Sequence, residues 1–151
     1  MIKEKINKEL KDSMLNGNKT KTATLRLVLS AIKDKEILER TKNSEEEIGD
    51  NAILDILTKM VKQRIESSDI FTKNERLDLA KKEDEEIIIL RDYMPKQMTE
   101  DETLEAIKKS VHAVNASSLK DMGKIMGELK SNYSGQIDFS LAGKLVKEIL
   151  S

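Results

Sequence analysis

Apolar residues recur along this chain at steps of three and four, the spacing that places side chains on one face of an α-helix. The first run ends at Asn16-Gly17-Asn18, a typical helix stop. The second run is centred on residues 25–32, and a third follows a polar break at Lys42-Asn43-Ser44. A fourth helix is predicted from Asn74 to Tyr93. The positions expected to face inward in these four helices are Ile2, Ile6, Leu10, Met14, Leu25, Leu27, Val28, Leu29, Ala31, Ile32, Ile53, Ile56, Leu57, Met60, Val61, Ile65, Leu79, Ile87, Leu90 and Met94.

The pattern is interrupted at Pro95. Its ring lacks an N–H donor and restricts the residue before it to extended conformations, so a helix cannot continue normally. Thr99 and Glu102 have the spacing of a capping box that begins a new helix. We therefore predict an N-terminal helical domain over residues 1–94 and a C-terminal three-helix domain over residues 95–151. The inner positions of its helices are Leu104, Ile107, Val111 and Val114, then Leu119, Met122, Ile125, Met126 and Leu129, and finally Leu141, Leu145 and Ile149.

The composition favours the same all-α fold. Charged residues make up 36% of the chain and aromatic residues 3%, a balance that fits charge-rich helices better than strands. Basic and acidic side chains nearly cancel, 27 against 28, so no global positive field would attract nucleic acid from a distance, and any contact must rely on a local patch. No DNA partner is expected. No apolar run approaches the length of a membrane span, and the N-terminus lacks the apolar core of a secretory signal. These features predict a cytoplasmic protein without a membrane partner.

Residue types that carry chemistry are scarce. Cysteine is absent, and His112 is the one histidine, so the usual zinc cluster cannot be assembled, and no Ser-His-Asp spacing pattern surrounds this histidine. Adjacent carboxylates such as Glu85 and Glu86 are typical of solvated helix faces in a chain this acidic. Gly143-Lys144 lacks the earlier glycine and the following hydroxyl residue of a phosphate-binding loop. We expect no catalytic residues, no metal and no cofactor.

Gly123 and Gly127 stand four residues apart in a predicted helix and leave two bare backbone patches on one face. Such patches serve close packing of another helix, the reading favoured by spacing alone, or close approach of a ligand. Lys120 and Lys124 share a face of that same helix, and Lys144 and Lys147 share a face of the last one. These lysines predict either a modest basic surface, with Lys130 as a further candidate phosphate contact, or side chains that merely solubilise the domain.

Four segments resemble the GatB/YqeY family, in its stand-alone YqeY-like form, collinearly over almost the whole chain. They are TLRLVLSAIKDKEI (24–37), KQRIESSDIF (62–71), ILRDYMPKQMTEDE (89–102) and KDMGKIMGELK (120–130). The resemblance implies a helical N-terminal domain joined to a three-helix domain similar to the tail of the aspartyl/glutamyl-tRNA amidotransferase B subunit. In that enzyme the tail helps to hold tRNA, whereas catalysis takes place elsewhere. A family label of carbon-nitrogen ligase with glutamine as amido-N-donor therefore describes the relatives' complex.

The resemblance yields a main hypothesis and two alternatives. The main one is a non-catalytic accessory module that binds tRNA or another structured RNA through Lys120, Gly123, Lys124, Gly127, Lys130, Lys144 and Lys147. One departure weakens it, because the family's last turn commonly reads GRADGK, whereas Gln136 and Ser140 replace the Arg and the Lys here. The first alternative is a helical adaptor that docks on a tRNA synthetase, an amidotransferase or another protein. The second, a true amidotransferase, requires a catalytic constellation that the sequence does not contain.

Overall fold

The computed structural model describes residues 1–40 and 47–151, and in that part of the chain it contains helices and no strands. The prediction of an all-α protein is confirmed. The polar break predicted at Lys42-Asn43-Ser44 lies outside the described residues. Contacts between Cα atoms divide the chain into two compact units, Met1–Met94 and Pro95–Ser151.

The N-terminal unit contains four helices: α1 (Ile2–Leu15), α2 (Lys19–Arg40), α3 (Asp50–Lys73) and α4 (Leu77–Arg91). Helix α1 packs mainly on α2, and α3 packs along α4. Apolar side chains from all four helices build one core because each helix carries its apolar residues on one face. The buried members of this core are Ile6, Leu25, Val28, Ile32, Ile48, Ile53, Leu54, Leu57, Met60, Val61, Ile87, Leu90 and Tyr93.

The fourth helix starts three residues later than the sequence predicts. Helix α3 ends in a Schellman motif, in which the Arg76 N–H donates to the Phe71 carbonyl at 2.8 Å and the Glu75 N–H donates to the Thr72 carbonyl at 3.1 Å. This closure requires a positive φ, and Glu75 adopts one of 57°. The same motif closes α1 at Gly17, where the sequence does predict the stop. A glycine at this position therefore predicts the turn from the sequence, whereas a glutamate at the equivalent position does not.

The C-terminal unit contains α5 (Glu100–Ala113), a short 3-10 helix (Leu119–Asp121), α6 (Met122–Tyr133) and α7 (Phe139–Leu150). The three α-helices pack on one another. Their separate core shares no residue with that of the N-terminal unit, and its buried members are Ala106, Ile107, Ile125, Leu129, Ile137, Ala142, Leu145 and Val146.

The predicted capping box at the start of α5 is present. The Thr99 hydroxyl accepts from the Glu102 N–H at 3.2 Å, and the Thr99 N–H donates to Glu102 Oε2 at 2.8 Å. We expect Thr99→Ala to lower the free energy of unfolding by about 1 kcal/mol, because the Glu102 N–H in the first turn loses its hydroxyl acceptor. Urea unfolding of the purified chain measures this. Glu102→Gln, which retains an acceptor, should cost less, and equal stability of Thr99→Ala and wild type would contradict the expectation.

Some residues predicted to face inward are exposed instead. Leu27 lies at the edge of the apolar arc of α2, and Ile65 lies at the edge of that of α3. Met14 and Ile149 lie in the last turns of their helices, and Leu119 precedes α6; between 38% and 52% of each of these five side chains is exposed. Periodicity identifies the apolar side of a helix, but it does not reveal where the neighbouring helix ceases to cover that side.

Candidate nucleic-acid interface

The candidate surface is organised around the start of α6. Asp121 Oδ2 accepts hydrogen bonds from the Ser117 N–H at 3.0 Å and from the Ser118 N–H at 3.4 Å. The Ser117 hydrogen bond is the main factor that lowers the pKa of the Asp121 carboxyl, and the nearby charge of Lys124 contributes further. The ionised Asp121 carboxylate thus fixes the backbone that leads into α6. The 3-10 helix that contains Lys120 ends at Asp121, one residue before the α6 segment that carries Gly123.

Gly123 and Gly127 are both exposed on α6, and both have ordinary helical backbone conformations. A Cβ atom added to either residue would have no heavy atom within 4 Å beyond the helix's own backbone. The packing of another helix, the reading that spacing alone favours, is therefore wrong for these two glycines within the described chain. Two bare backbone patches remain open on the solvent side of the helix.

Lys120 and Lys124 are exposed and lie on the same side of the helix as the two glycines. The ion pairs found among the described residues do not include either lysine. Lys130 is also exposed, three residues after Gly127, on the flank of this face. An approaching phosphate would meet ammonium groups beside backbone that is not shielded by side chains.

Lys144 and Lys147 contribute from α7, where both are exposed and share one side of the helix. The two helices meet at Gly143, where an added Cβ would lie 3.7 Å from Met122 Cε. Lys147 lines a shallow depression together with Leu119, the residue before Lys120. The start of α6 therefore adjoins α7 at two places, Met122 with Gly143 and Leu119 with Lys147. The exposed lysines of these two segments, Lys120, Lys124, Lys144 and Lys147, are called the lysine surface below.

Residues 95–151 carry eight basic and eight acidic side chains. Asp101, Glu102, Glu105 and Lys109 line a depression beside Tyr133, the last residue of α6. The lysine surface adjoins the opposite end of that helix, roughly 18 Å away for 12 residues at 1.5 Å each. Acidic side chains accompany the lysines there as well, because Asp121 follows Lys120 in sequence and Glu148 lines the depression with Lys147.

The remaining candidates for chemistry have structural surroundings. His112 is exposed on α5. Glu85 is exposed, as predicted for a solvated helix face, but Glu86 is not: it is largely covered and accepts from Arg64 Nε at 2.9 Å in an ion pair between α3 and α4. Lys144 lies inside α7, so the Gly143-Lys144 sequence forms no loop.

Residues 1–40 and 47–151 contain no group of three or more histidine or carboxylate side chains placed to hold a metal ion. The same residues form no helix with the length and apolar character that crossing a membrane requires.

The turn before α7, residues 135–140, is held by hydrogen bonds to backbone carbonyl groups and by the Asp138 cap. Gly135 takes a φ of 77°, and its carbonyl accepts from Gln97 Nε2 at 2.6 Å. The Gln136 carbonyl accepts from the Met98 N–H at 2.8 Å. Asp138 caps α7 by accepting from the Ser140 N–H at 2.9 Å. The turn therefore retains its backbone connections, although Gln136 and Ser140 supply no positive charge.

The periodicity predicts that Leu119 faces the core, but the residue is 51% exposed. It precedes Lys120 in the sequence and lines the shallow depression together with Lys147. Its apolar spacing with Met122 and Met126 is that of an inward residue, so the sequence gives no signal of its exposure. The aromatic residues Tyr133 and Phe139 instead pack partly against the core.

Comparison with known proteins gives a match over nearly the whole chain. A family model described as Yqey-like protein matches residues 3–150. Altered inheritance of mitochondria protein 41 from Eremothecium gossypii is 42% identical over 89 residues, which cover 59% of this chain and 46% of that protein. The protein of the same name from Saccharomyces cerevisiae is 29% identical over 126 residues, covering 80% and 66%. An uncharacterised Schizosaccharomyces pombe protein is 39% identical over 90 residues, covering 60% and 69%. The chain thus spans just under half the length of the first of these relatives.

The cytoplasmic location expected from the sequence is wrong by this comparison. The Eremothecium gossypii and Saccharomyces cerevisiae relatives are named as mitochondrial proteins, which points to mitochondria rather than the cytoplasm. The expectation rested on the lack of an apolar signal core and of a membrane span. Neither criterion distinguishes cytoplasm from mitochondria, because mitochondrial transit peptides are amphipathic and rich in Arg and Ser rather than apolar.

Proposed function

The chain belongs to the YqeY-like protein family, and on that premise we propose that its C-terminal unit is a non-catalytic module that docks on tRNA or another structured RNA. The observation that carries the proposal is the open face of α6, where Gly123 and Gly127 have no neighbour and Lys120 and Lys124 flank them.

The glycines supply the first argument. A glycine inside a helix lowers helix stability by about 1 kcal/mol relative to alanine, and no packing contact at Gly123 or Gly127 offsets that cost. Without side chains, however, the backbone of another molecule can approach α6 more closely than any larger residue would allow. The sugar-phosphate backbone of an RNA can contact the bare helix backbone at the two glycines while its phosphates bind the flanking lysines.

The lysines supply the second argument. Each phosphate that a lysine neutralises releases condensed counterions, and log K then falls by about 0.9 for each tenfold rise in salt. Lys120, Lys124, Lys144 and Lys147 point to a modest number of such contacts, with Lys130 at the flank. The neutral Gln136 and Ser140 supply none. We therefore expect moderate, salt-dependent binding with little sequence preference, because phosphate contacts position a protein without reading bases.

The test is binding of the purified chain to fluorescently labelled total tRNA, measured by anisotropy at low salt. We expect Lys120→Glu combined with Lys124→Glu to weaken binding at least about tenfold and to reduce the salt dependence, because two attractive contacts become repulsive. Both side chains are exposed, so the variant should keep its helix content in circular dichroism.

The matched control reverses two exposed lysines of the N-terminal unit, Lys8→Glu with Lys11→Glu, which changes net charge by the same amount. We expect this control to retain most of the affinity. If both double variants lose affinity equally, net charge rather than the lysine surface governs binding. If wild type fails to bind tRNA even at low salt, the RNA proposal is wrong, and a protein partner recovered from nuclease-treated extract becomes the better explanation.

A further inference from the structure

A shallow, largely apolar depression lies within the lysine surface. It is lined by Leu119, Lys147, Glu148 and Ser151. Half of the Leu119 side chain is open to solvent there, and Leu119 is not part of the core of the C-terminal unit. An exposed leucine among ammonium groups offers contact area that the fold itself leaves unused.

We propose that this depression holds one unpaired nucleobase of the bound RNA, an inference that rests on the RNA-docking function proposed above. RNA differs from a uniform polyanion in that loops and bulges present unstacked bases, and proteins recognise such bases by covering their flat faces. Leu119 and the aliphatic stem of Lys147 give an apolar floor for a base face, because a lysine buries its methylene groups while its ammonium group stays in water.

Charge decides which part of a nucleotide enters the depression. The Glu148 carboxylate lines it and repels a phosphate. A base is neutral and can enter, while exposed lysines adjoin the lining residues and can serve the flanking phosphates: Lys120 follows Leu119, and Lys144 lies one turn before Lys147. The arrangement thus fits an extruded base flanked by its own backbone better than it fits an isolated phosphate.

The floor of the depression is also held in place before any ligand arrives. Leu119 begins the 3-10 helix, whose Asp121 carboxylate accepts from the Ser117 and Ser118 N–H groups. Glu148 lies in the last turn of α7, and Ser151 follows that helix, with its N–H donating to the Lys147 carbonyl at 3.0 Å. The backbone that carries the lining residues is therefore hydrogen-bonded, which lowers the ordering cost of association.

The experiment compares two labelled, blunt-ended RNA duplexes that are identical except for one bulged adenosine. We expect wild type to bind the bulged duplex about threefold to tenfold more tightly, since covering one base face with apolar groups gives part of the stabilisation seen for aromatic stacking. Leu119→Ala should abolish this preference and leave the affinity for the fully paired duplex unchanged. Leu119→Tyr should enlarge the preference, because it supplies an aromatic face.

Leu77→Ala serves as the matched control, since Leu77 is an exposed leucine in the N-terminal unit; it should leave the preference as in wild type. Equal binding of both duplexes by wild type, or a preference that survives Leu119→Ala, would overturn the nucleobase site while the RNA-docking function stands. Failure of both duplexes and of tRNA to bind would overturn the docking function itself, and this inference with it.

Discussion

Alanine at both Gly123 and Gly127 is expected to stabilise the fold and to weaken RNA binding at the same time. Nothing lies within 4 Å of either added Cβ, and both backbones are helical, so the alanines fit without strain. The free energy of unfolding should rise by about 1 to 2 kcal/mol, with Gly127 in the helix interior giving the larger share. RNA affinity should fall, because two methyl groups then separate α6 from the RNA backbone. Urea unfolding and tRNA anisotropy on the same protein samples measure the two effects.

Gly143→Ala is the matched control for this pair. Gly143 lies in α7 of the same unit, and an added Cβ would make ordinary contact with Met122 Cε at 3.7 Å. It should therefore also raise the free energy of unfolding, by up to about 1 kcal/mol, without changing RNA affinity. If the Gly123/Gly127 variant were more stable but bound tRNA as wild type does, close backbone approach would have no part in binding.

The largest loss of stability is expected from Leu129→Ala. Leu129 is completely buried in the core of the C-terminal unit, so the substitution leaves a cavity as well as losing apolar burial. Such replacements typically lower the free energy of unfolding by about 2 to 5 kcal/mol. Because the two cores share no residue, we expect amide signals of residues 95–151 to disappear at lower urea than those of residues 1–94. Two-dimensional NMR across a urea series resolves both groups.

Leu27→Ala, at an exposed leucine of α2, should change stability by no more than about 0.5 kcal/mol. A loss as large as that of Leu129→Ala would mean that burial does not govern these differences. If Leu129→Ala shifted the signals of both units to the same lower urea concentration, the two cores would have to unfold as one cooperative unit.

Much of the fold was predictable because helix signals are local. Thr99 and Glu102 predict the start of α5, and Gly17 predicts the end of α1, since each of these residue types favours the required backbone geometry directly. The turn at Glu75 was not predictable, because a glutamate in the left-handed region is held there by the backbone hydrogen bonds of the turn. The exposure of Leu119 was not predictable either, because it depends on how far the last turn of α7 covers this side chain.

The residues of the candidate surface were predictable from the sequence, but its openness to solvent was not. The spacing of Lys120, Gly123, Lys124 and Gly127 places them on one face, yet spacing cannot tell whether another helix covers that face. The structure shows the glycines uncovered, which removes the packing explanation. The contribution of α7 depended on its contact with α6 at Gly143, a tertiary contact that no local pattern encodes. The RNA-binding role remains a prediction.

Whether the open face of α6 docks on structured RNA can be measured by titrating tRNA into isotopically labelled protein and following backbone amide signals by NMR. Glycine amides resonate in a sparsely populated region, so Gly123 and Gly127 can be followed individually. We expect the earliest shifts or broadening at Lys120, Gly123, Lys124 and Gly127, and their reversal when salt is raised. Undisturbed signals at these four residues, while tRNA perturbs other parts of the chain or none, would contradict it.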